Sequence, residues 1–318
     1  MYRIGILGLG QIASVMAASI SKLPDHQITA VASRSLPRAE EFAKKNCRRA
    51  KAFGSYEELA KEDLDLIYIA TPNSCHMDNA IMCIRERKNV LVEKPFAMNL
   101  EQTEAVFREA ANYGVLVCEA MWTSFMPLHK TMLEWIEEGR IGKVRYISSN
   151  LGYEISTHER LVSPDLGGGA YLDLGVYPTN LAVSIMGEKL IPTSCYARKI
   201  STGVEKDIFY TLENEDRSTI ASAYVTMCAA TDRGGDIIGD KGRIRIENIN
   251  NYERIALFDL NGDVVDFAER GEKELTGYAL EVKACTDAIR NGRRQTAEHP
   301  WSKTSAIMTI GDELKRMI

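Results

Sequence analysis

The sequence predicts an α/β protein with an N-terminal, doubly wound parallel sheet followed by an α/β domain whose sheet is open and mostly antiparallel. Up to about residue 119, short apolar strands alternate with helical patterns, which is typical of βαβ units. Residues 66–70 (LIYIA) form a continuous apolar run, as in a parallel strand covered on both faces. After Trp122, longer polar/apolar alternations favour an antiparallel sheet.

The chain has 318 residues, which is long enough for two domains. The change of pattern places the boundary near residue 120, so we expect one domain at 1–119 and a second at 120–318. The last helix of the second domain is a candidate to pack back on the first.

The chain begins with an apolar strand and a turn in which Gly8, Gly10 and Ala13 have the spacing G-x-G-x-x-A. Such glycines permit a tight turn and a close approach of backbone to a pyrophosphate, which the following helix N-terminus favours. Packing alone also selects glycine turns, but the strand before and the helix after this turn favour a dinucleotide site. Its predicted contacts are Gly8, Leu9, Gly10, Gln11 and Ile12.

The second strand of the pattern ends in Ser33 and Arg34, with Arg38 one helical turn later. NAD sites usually place a carboxylate at this strand end, whereas a guanidinium pairs with the 2′-phosphate of NADP. The residues therefore favour NADP, with NAD as the alternative. A solvated loop arginine is the other interpretation.

Further polar residues follow the later strands of this half. Because ligands bind beyond the carboxyl ends of parallel strands, we expect these residues to line the same cofactor site. They are Thr71, Pro72, Asn73, His76, Glu93, Lys94 and Trp122. Lys94 lies where a nicotinamide is expected, although a strand-end lysine paired with a surface acid would give the same pattern.

A second candidate segment has three glycines at 167–169 followed by Asp173 and Tyr177. If the predicted helical stretch 168–186 is regular, Asp173 and Tyr177 share one face, four residues apart. Pro178 is a candidate kink, and a tyrosine of the core is the alternative interpretation of Tyr177. The remaining patterns predict strands at 144–151, 193–199, 208–212, 218–227, 237–246 and 255–260, and helices at 126–138, 278–291 and 301–317.

E-K-P at 93–95 together with G-G-G-x-x-x-D-x-G-x-Y at 167–177 resembles the glucose–fructose oxidoreductase/inositol dehydrogenase/MocA family. The segments GSYEEL at 54–59 and EAMWT at 119–123 are similar to its dihydrodiol-dehydrogenase-like branch. The resemblance implies an NADP-binding Rossmann domain at 1–119 and a substrate-binding and dimerisation domain at 120–318, whose open sheet makes a homodimer. It also implies catalytic Lys94 and Tyr177 and an active-site Asp173. That branch usually shows arginine where this chain has Ser124.

Oxidising a secondary alcohol requires a base that accepts the hydroxyl proton while the nicotinamide accepts the hydride. A free tyrosine, with a pKa near 10, is a poor base at neutral pH. A nearby ammonium stabilises the phenolate, so we expect Lys94 to tune Tyr177, and Asp173 to orient the substrate or Lys94. In the reverse direction Tyr177 would protonate a carbonyl substrate.

Composition excludes several classes. A net charge of −5 without a basic block argues against nucleic acid, and no apolar run reaches the length of a membrane span. Seven scattered cysteines and five histidines, without metal-ligand spacing, favour a cytoplasmic protein with no metal.

The leading prediction is a dehydrogenase for a sugar-like, cyclic-diol or dicarbonyl substrate. Candidate substrate contacts are Trp122, Tyr153, His158 and Asn180, and the alternatives are a non-catalytic dinucleotide sensor and an inositol or sugar dehydrogenase.

Overall fold

The computed structural model describes residues 1–271 and 275–318, which form two compact units. The first unit combines Met1–Trp122 with Leu275–Thr304. The second combines the described residues of 123–274 with Ser305–Ile318. Helix α10 (Trp301–Met317) starts in the first unit and continues into the second.

The first unit contains the predicted doubly wound parallel sheet. Its six strands have the order β3-β2-β1-β4-β5-β6, and every neighbouring pair is parallel. The strands are β1 Tyr2–Leu7, β2 His26–Ala32, β3 Lys51–Phe53, β4 Leu66–Ile69, β5 Val90–Glu93 and β6 Val117–Ala120. The helices are α1 Gln11–Ile20, α2 Leu36–Asn46, α3 Tyr56–Ala60, α4 His76–Arg85, α5 Leu100–Tyr113 and, from the later segment, α9 Gly277–Arg290.

Local sequence explains where these elements start and end. The side chains of Ser55, Asn99 and Thr276 cap α3, α5 and α9 by accepting a backbone N–H of the first turn. All four residues of β4 are buried, as expected for a strand covered on both faces. Because the six strands are parallel, their carboxyl ends lie along one edge of the sheet.

The second unit is built on an eight-stranded sheet of order β14-β13-β12-β11-β7-β10-β9-β8. Its pairs are antiparallel except β7 with β10, which confirms the predicted mostly antiparallel architecture. The strands are β7 Val144–Gly152, β8 Leu190–Lys199, β9 Glu205–Asn214, β10 Ile220–Thr226, β11 Gly235–Gly239, β12 Arg243–Glu247, β13 Arg254–Phe258 and β14 Val264–Glu269. Its helices are α6 Pro127–Glu137, α7 Glu159–Val162 and α8 Val176–Met186.

Two local predictions were wrong. The alternation at 237–246 is two strands, β11 and β12, joined by a turn, and β14 was missed. The stretch 168–186 is not one regular helix, because Tyr171–Gly175 is a π-helical turn that precedes α8. Pro178, the candidate kink, lies in the first turn of α8, directly after that π-helical turn.

No helix among the described residues combines the length and the apolar character needed to cross a bilayer.

The interior of the first unit contains a cluster of acidic side chains. The Glu119 carboxylate accepts hydrogen bonds from the Phe96 N–H (3.2 Å) and the Thr304 hydroxyl (2.8 Å), and it lies 2.9 Å from His299 Nε2. Glu281 of α9 is fully buried, but neither carboxyl oxygen has a hydrogen-bond partner among the described residues. Burial holds the pKa of Glu281 well above its usual range, and nearby Glu93 raises it further.

Replacing Glu281 with glutamine should stabilise the protein increasingly as the pH rises. A carboxyl group whose pKa is raised by folding contributes stability below its unfolded pKa, and that contribution is lost as the pH rises toward the folded pKa. Between the unfolded-state pKa and the folded-state pKa of Glu281, the free energy of unfolding of the parent falls by about 1.4 kcal/mol per pH unit relative to that of Glu281→Gln. Denaturant unfolding at pH 5, 6, 7 and 8 measures this difference.

The matched control is Glu104→Gln, which changes an exposed glutamate on α5 of the same unit. It should give a small difference that does not vary with pH. A pH-independent effect of Glu281→Gln would mean that Glu281 is ionised in the folded protein.

Candidate active site

The glycine turn after β1 has the geometry that a bound diphosphate needs. Gly8 has φ +90°, and a Cβ there would lie 2.7 Å from the backbone of Ala70. At Gly10 a Cβ would meet nothing within 4 Å. Gly10 also begins α1 without a side-chain cap, which leaves the first N–H groups of the helix available to an anion. Leu9, Gln11 and Ile12 belong to this same turn, so its residues fit a dinucleotide.

Two arginines lie near the end of β2. Ser33 is buried, whereas Arg34 and Arg38 are exposed, and the Arg38 guanidinium donates to the Leu9 carbonyl at 3.1 Å. Burial raises the pKa of Tyr56, and the charges of Arg34 and Arg38 oppose that shift, so both guanidinium groups lie near this phenol. The cluster supplies positive charge beside the glycine turn.

The turn after β4 contains Thr71, Pro72 and Asn73, and His76 anchors it. The His76 ring is completely buried; Nε2 lies 2.9 Å from the Thr71 carbonyl and Nδ1 lies 2.8 Å from the Pro95 carbonyl. Burial lowers the pKa of His76. With both nitrogens on backbone oxygens, the ring ties the turn after β4 to the turn after β5. The predicted contact of His76 with the cofactor stays a prediction.

Lys94 follows β5 and is partly exposed. The preceding carboxylate is buried: Glu93 accepts the Tyr68 hydroxyl through Oε1 and the Lys94 backbone N–H through Oε2, the latter at 3.1 Å. Glu93 is thus held from two sides at the edge where the glycine turn also lies.

Trp122 follows β6 and is half-buried. Its ring stacks on Tyr278 with a centroid distance of 4.3 Å and an interplanar angle of 18°. Gly277, which begins α9, permits this contact, because a Cβ there would lie 2.9 Å from the indole ring. Sequence reasoning found Trp122 but missed Tyr278, since the two are far apart in the chain.

In the second unit, Asp173 and Tyr177 lie on either side of the junction between the π-helical turn and α8, and both are 6% exposed. Arg160 of α7 donates to Asp173 Oδ1 at 3.0 Å. At the start of the turn, the Tyr171 N–H donates to Glu205 Oε1 at 3.2 Å. These contacts fix the turn that carries Asp173, and neither Arg160 nor Glu205 was predicted from the sequence.

The predicted substrate contacts of the second unit have different surroundings. Asn180 is buried and bonds Thr123 and Ser124, each at 3.3 Å, so Ser124 is itself an internal hydrogen-bond donor. The Tyr153 hydroxyl donates to Asn250 at 3.0 Å. His158 is exposed at the start of α7. Of these residues, Asn180 lies on the same helix as Tyr177, whereas Tyr153 and His158 lie on other segments.

In the part of the chain that the structure describes, no three His, Cys, Asp or Glu side chains are grouped to hold a metal ion.

Comparison with known families agrees with this architecture. Residues 2–121 match an oxidoreductase family with an NAD-binding Rossmann fold, and residues 129–245 match the C-terminal domain of GFO/IDH/MocA proteins. The chain belongs to the glucose–fructose oxidoreductase/inositol dehydrogenase/MocA family. This confirms the predicted family, and with it the prediction of an oxidoreductase with a nucleotide-binding Rossmann fold.

Individual relatives within this family cover nearly the whole chain. Trans-1,2-dihydrobenzene-1,2-diol dehydrogenase of Xenopus laevis is 39% identical over 97% of this chain and 96% of that protein. D-xylose 1-dehydrogenase (NADP(+)) of Hypocrea jecorina is 30% identical over 98% and 90%. A 3-ketoreductase of Actinomadura kijaniata, solved with NADP and TDP-benzene, has a TM-score of 0.86 at 23% identity over 99% and 97%. The ketoreductase supports the fold alone.

The glycine turn gives a prediction that separates binding from folding. Gly10→Ala should leave the melting temperature almost unchanged, because φ is −87° and the added methyl enters open space. It should weaken NADPH binding at least about tenfold, since backbone must approach the pyrophosphate there. Fluorescence titration and thermal unfolding measure the two effects.

Gly8→Ala is the contrasting variant. Its left-handed backbone should cost about 1–3 kcal/mol of stability, and the clash with Ala70 adds to that. NADPH affinity equal to that of the parent in Gly10→Ala would show that the turn does not hold the cofactor.

Proposed function

We propose that this enzyme uses NADP to interconvert a hydroxyl and a carbonyl group on a small cyclic-diol, dicarbonyl or sugar-like substrate. The observation that carries the proposal is the likeness, along nearly the whole chain, to a trans-1,2-dihydrobenzene-1,2-diol dehydrogenase. The first unit would bind the cofactor and the second the substrate. Because the xylose dehydrogenase is also similar, an aldose is the second candidate substrate.

The choice of NADP rests on Arg34 and Arg38. Both are exposed, and Arg38 donates to the Leu9 carbonyl of the glycine turn. A guanidinium can pair with a 2′-phosphate in bidentate fashion. The name of the xylose dehydrogenase specifies the same cofactor.

Arg34→Ala should raise the dissociation constant of NADPH about tenfold or more, because it removes a charge-assisted hydrogen bond. The dissociation constant of NADH should change less than about twofold, since NADH lacks the phosphate. Arg48→Ala is the control; Arg48 is exposed in a shallow pocket beside Met1 and His26. Equal losses for NADPH and NADH would contradict the assignment.

The proposed chemistry assigns a separate task to each side chain. When bound, the nicotinamide would donate or accept the hydride. Tyr177 would exchange a proton with the substrate oxygen, and the Lys94 ammonium would favour the phenolate form of Tyr177. Asp173, held by Arg160, would orient the substrate. Glu93 would fix the backbone of Lys94.

Tyr177→Phe should lower kcat by about 100-fold to 10,000-fold, the usual worth of a general acid or base, with little change in NADPH affinity. Tyr252→Phe is the matched control, because Tyr252 is buried in the same unit and its hydroxyl contacts His129 at 3.0 Å. Turnover of Tyr177→Phe equal to that of the parent would refute the role of Tyr177.

The double variant tests whether Lys94 and Tyr177 serve one proton transfer. If they do, combining Lys94→Ala with Tyr177→Phe should lower kcat little more than the worse single variant does.

The second unit supports a homodimer. Its sheet exposes apolar side chains in rows across neighbouring strands, and Tyr196, on β8, is 67% exposed. A second copy of this face would cover them, with the polar residues between as a rim. One row contains Tyr196, Phe209 and Tyr224, and the other contains Ile220, Tyr146 and Ile238.

Analytical ultracentrifugation should give a mass in solution of twice the chain mass of 35.5 kDa. Phe209→Asp should reduce the mass in solution to that of one chain, because it places a carboxylate in this apolar face.

We also infer a cytoplasmic location. All seven cysteines are free thiols in the structure, which suits a reducing compartment.

A further inference from the structure

The first unit contains a buried phenol in the middle of a strand that is otherwise apolar. Tyr68 of β4 is 0% exposed, and its hydroxyl donates to Glu93 Oε1. Burial and the adjacent Glu93 carboxylate raise the pKa of Tyr68 well above its usual range, so the hydroxyl keeps its proton. A buried hydroxyl is costly without a partner, and here the carboxylate provides one.

The sheet register explains why the two side chains meet. Tyr68 pairs with Leu91 of the neighbouring parallel strand, and Glu93 lies two residues further along that strand. Residues two apart point to the same face of a sheet, so Tyr68 and Glu93 share a face. The second oxygen of Glu93 accepts the Lys94 N–H at 3.1 Å. A continuous series of hydrogen bonds therefore runs from the strand interior to the backbone of Lys94.

The two neighbouring carboxyl groups, Glu93 and Glu281, differ in their hydrogen-bond partners. Glu281 is buried close enough to Glu93 for the charge of Glu93 to raise its pKa, yet it has no hydrogen-bond partner among the described residues. Glu93, in contrast, has two donors that stabilise a carboxylate. Pairs of acids whose surroundings differ in this way are typical of catalytic sites. The acid that contacts Lys94 is thus the one whose carboxyl group has hydrogen-bond donors.

We propose that Tyr68 is a positioning residue for Lys94: its hydroxyl holds the Glu93 carboxylate in the orientation that fixes the start of the Lys94 turn. Without this donor, Glu93 can rotate and release the Lys94 N–H. The inference rests on the proposed role of Lys94 for its effect on turnover, but its structural part concerns the first unit alone.

Tyr68→Phe tests the proposal with two measurements. In the protein without cofactor, acylation of Lys94, followed by mass spectrometry and normalised to the exposed Lys22, should become about threefold faster as the turn loosens. With cofactor and substrate, kcat should fall about tenfold while KM changes less than about twofold, because the substrate contacts remain. Tyr252→Phe removes a buried hydroxyl from the other unit and should change neither quantity.

The route through Glu93 gives a second test. Glu93→Gln should also speed the acylation of Lys94, and adding Tyr68→Phe to it should have little further effect, because both act through one carboxylate. If Tyr68→Phe does not fold, the acylation rate of Glu93→Gln decides the question.

The proposal is overturned if Tyr68→Phe lowers the melting temperature but leaves Lys94 acylation and kcat like those of Tyr252→Phe. It is also overturned if the effects of Tyr68→Phe and Glu93→Gln simply add. Failure of the proposed function looks different: the parent would then turn over no substrate, or Lys94→Ala would keep the turnover of the parent. The acylation results for Tyr68→Phe would follow the prediction in either case.

Discussion

The close approach between the turn at Gly8 and the backbone that follows β4 is the constraint on which the first unit depends. Only a residue without Cβ fits there, because the φ of +90° and the 2.7 Å separation from Ala70 both exclude a side chain. This contact brings the ends of β1 and β4 together and aims the start of α1 outward. The arginines after β2 and the turns after β4 and β5 then lie along the same edge of the sheet, which is why one short motif organises the cofactor site.

Three acidic side chains are buried in the first unit, and each has a different environment. Glu119 is bound by a histidine and two donors, Glu93 by a phenol and a backbone N–H, and Glu281 by none of the described residues. Burying an acid without a partner lowers stability, and perturbed titratable groups are common at functional sites. Of these acids, Glu93 is the one that contacts the backbone of Lys94.

Local signals in the sequence predicted the parallel sheet, the glycine turn and the position of Lys94, because strand periodicity and turn chemistry act over a few residues. They did not predict contacts that depend on the tertiary fold. Tyr68 resembled any other apolar residue of its strand, and the Arg160–Asp173 pair joins α7 to the π-helical turn before α8. The strand Val264–Glu269 was missed because its apolar side chains face outward. The parallel pairing of β7 with β10 likewise depends on chain topology.

In the proposed reaction, this chain transfers hydride between a bound NADP and a carbon that carries oxygen. The most direct test uses NADPH deuterated at the nicotinamide C4 and a panel of small dicarbonyl, cyclic ketone and aldose-derived substrates, with mass spectrometry of the products. We expect deuterium on the new CH–OH carbon of at least one product. We also expect that label to be lost in Tyr177→Phe. Tight NADPH binding without transfer to any substrate would contradict hydride transfer and favour a protein that senses the dinucleotide.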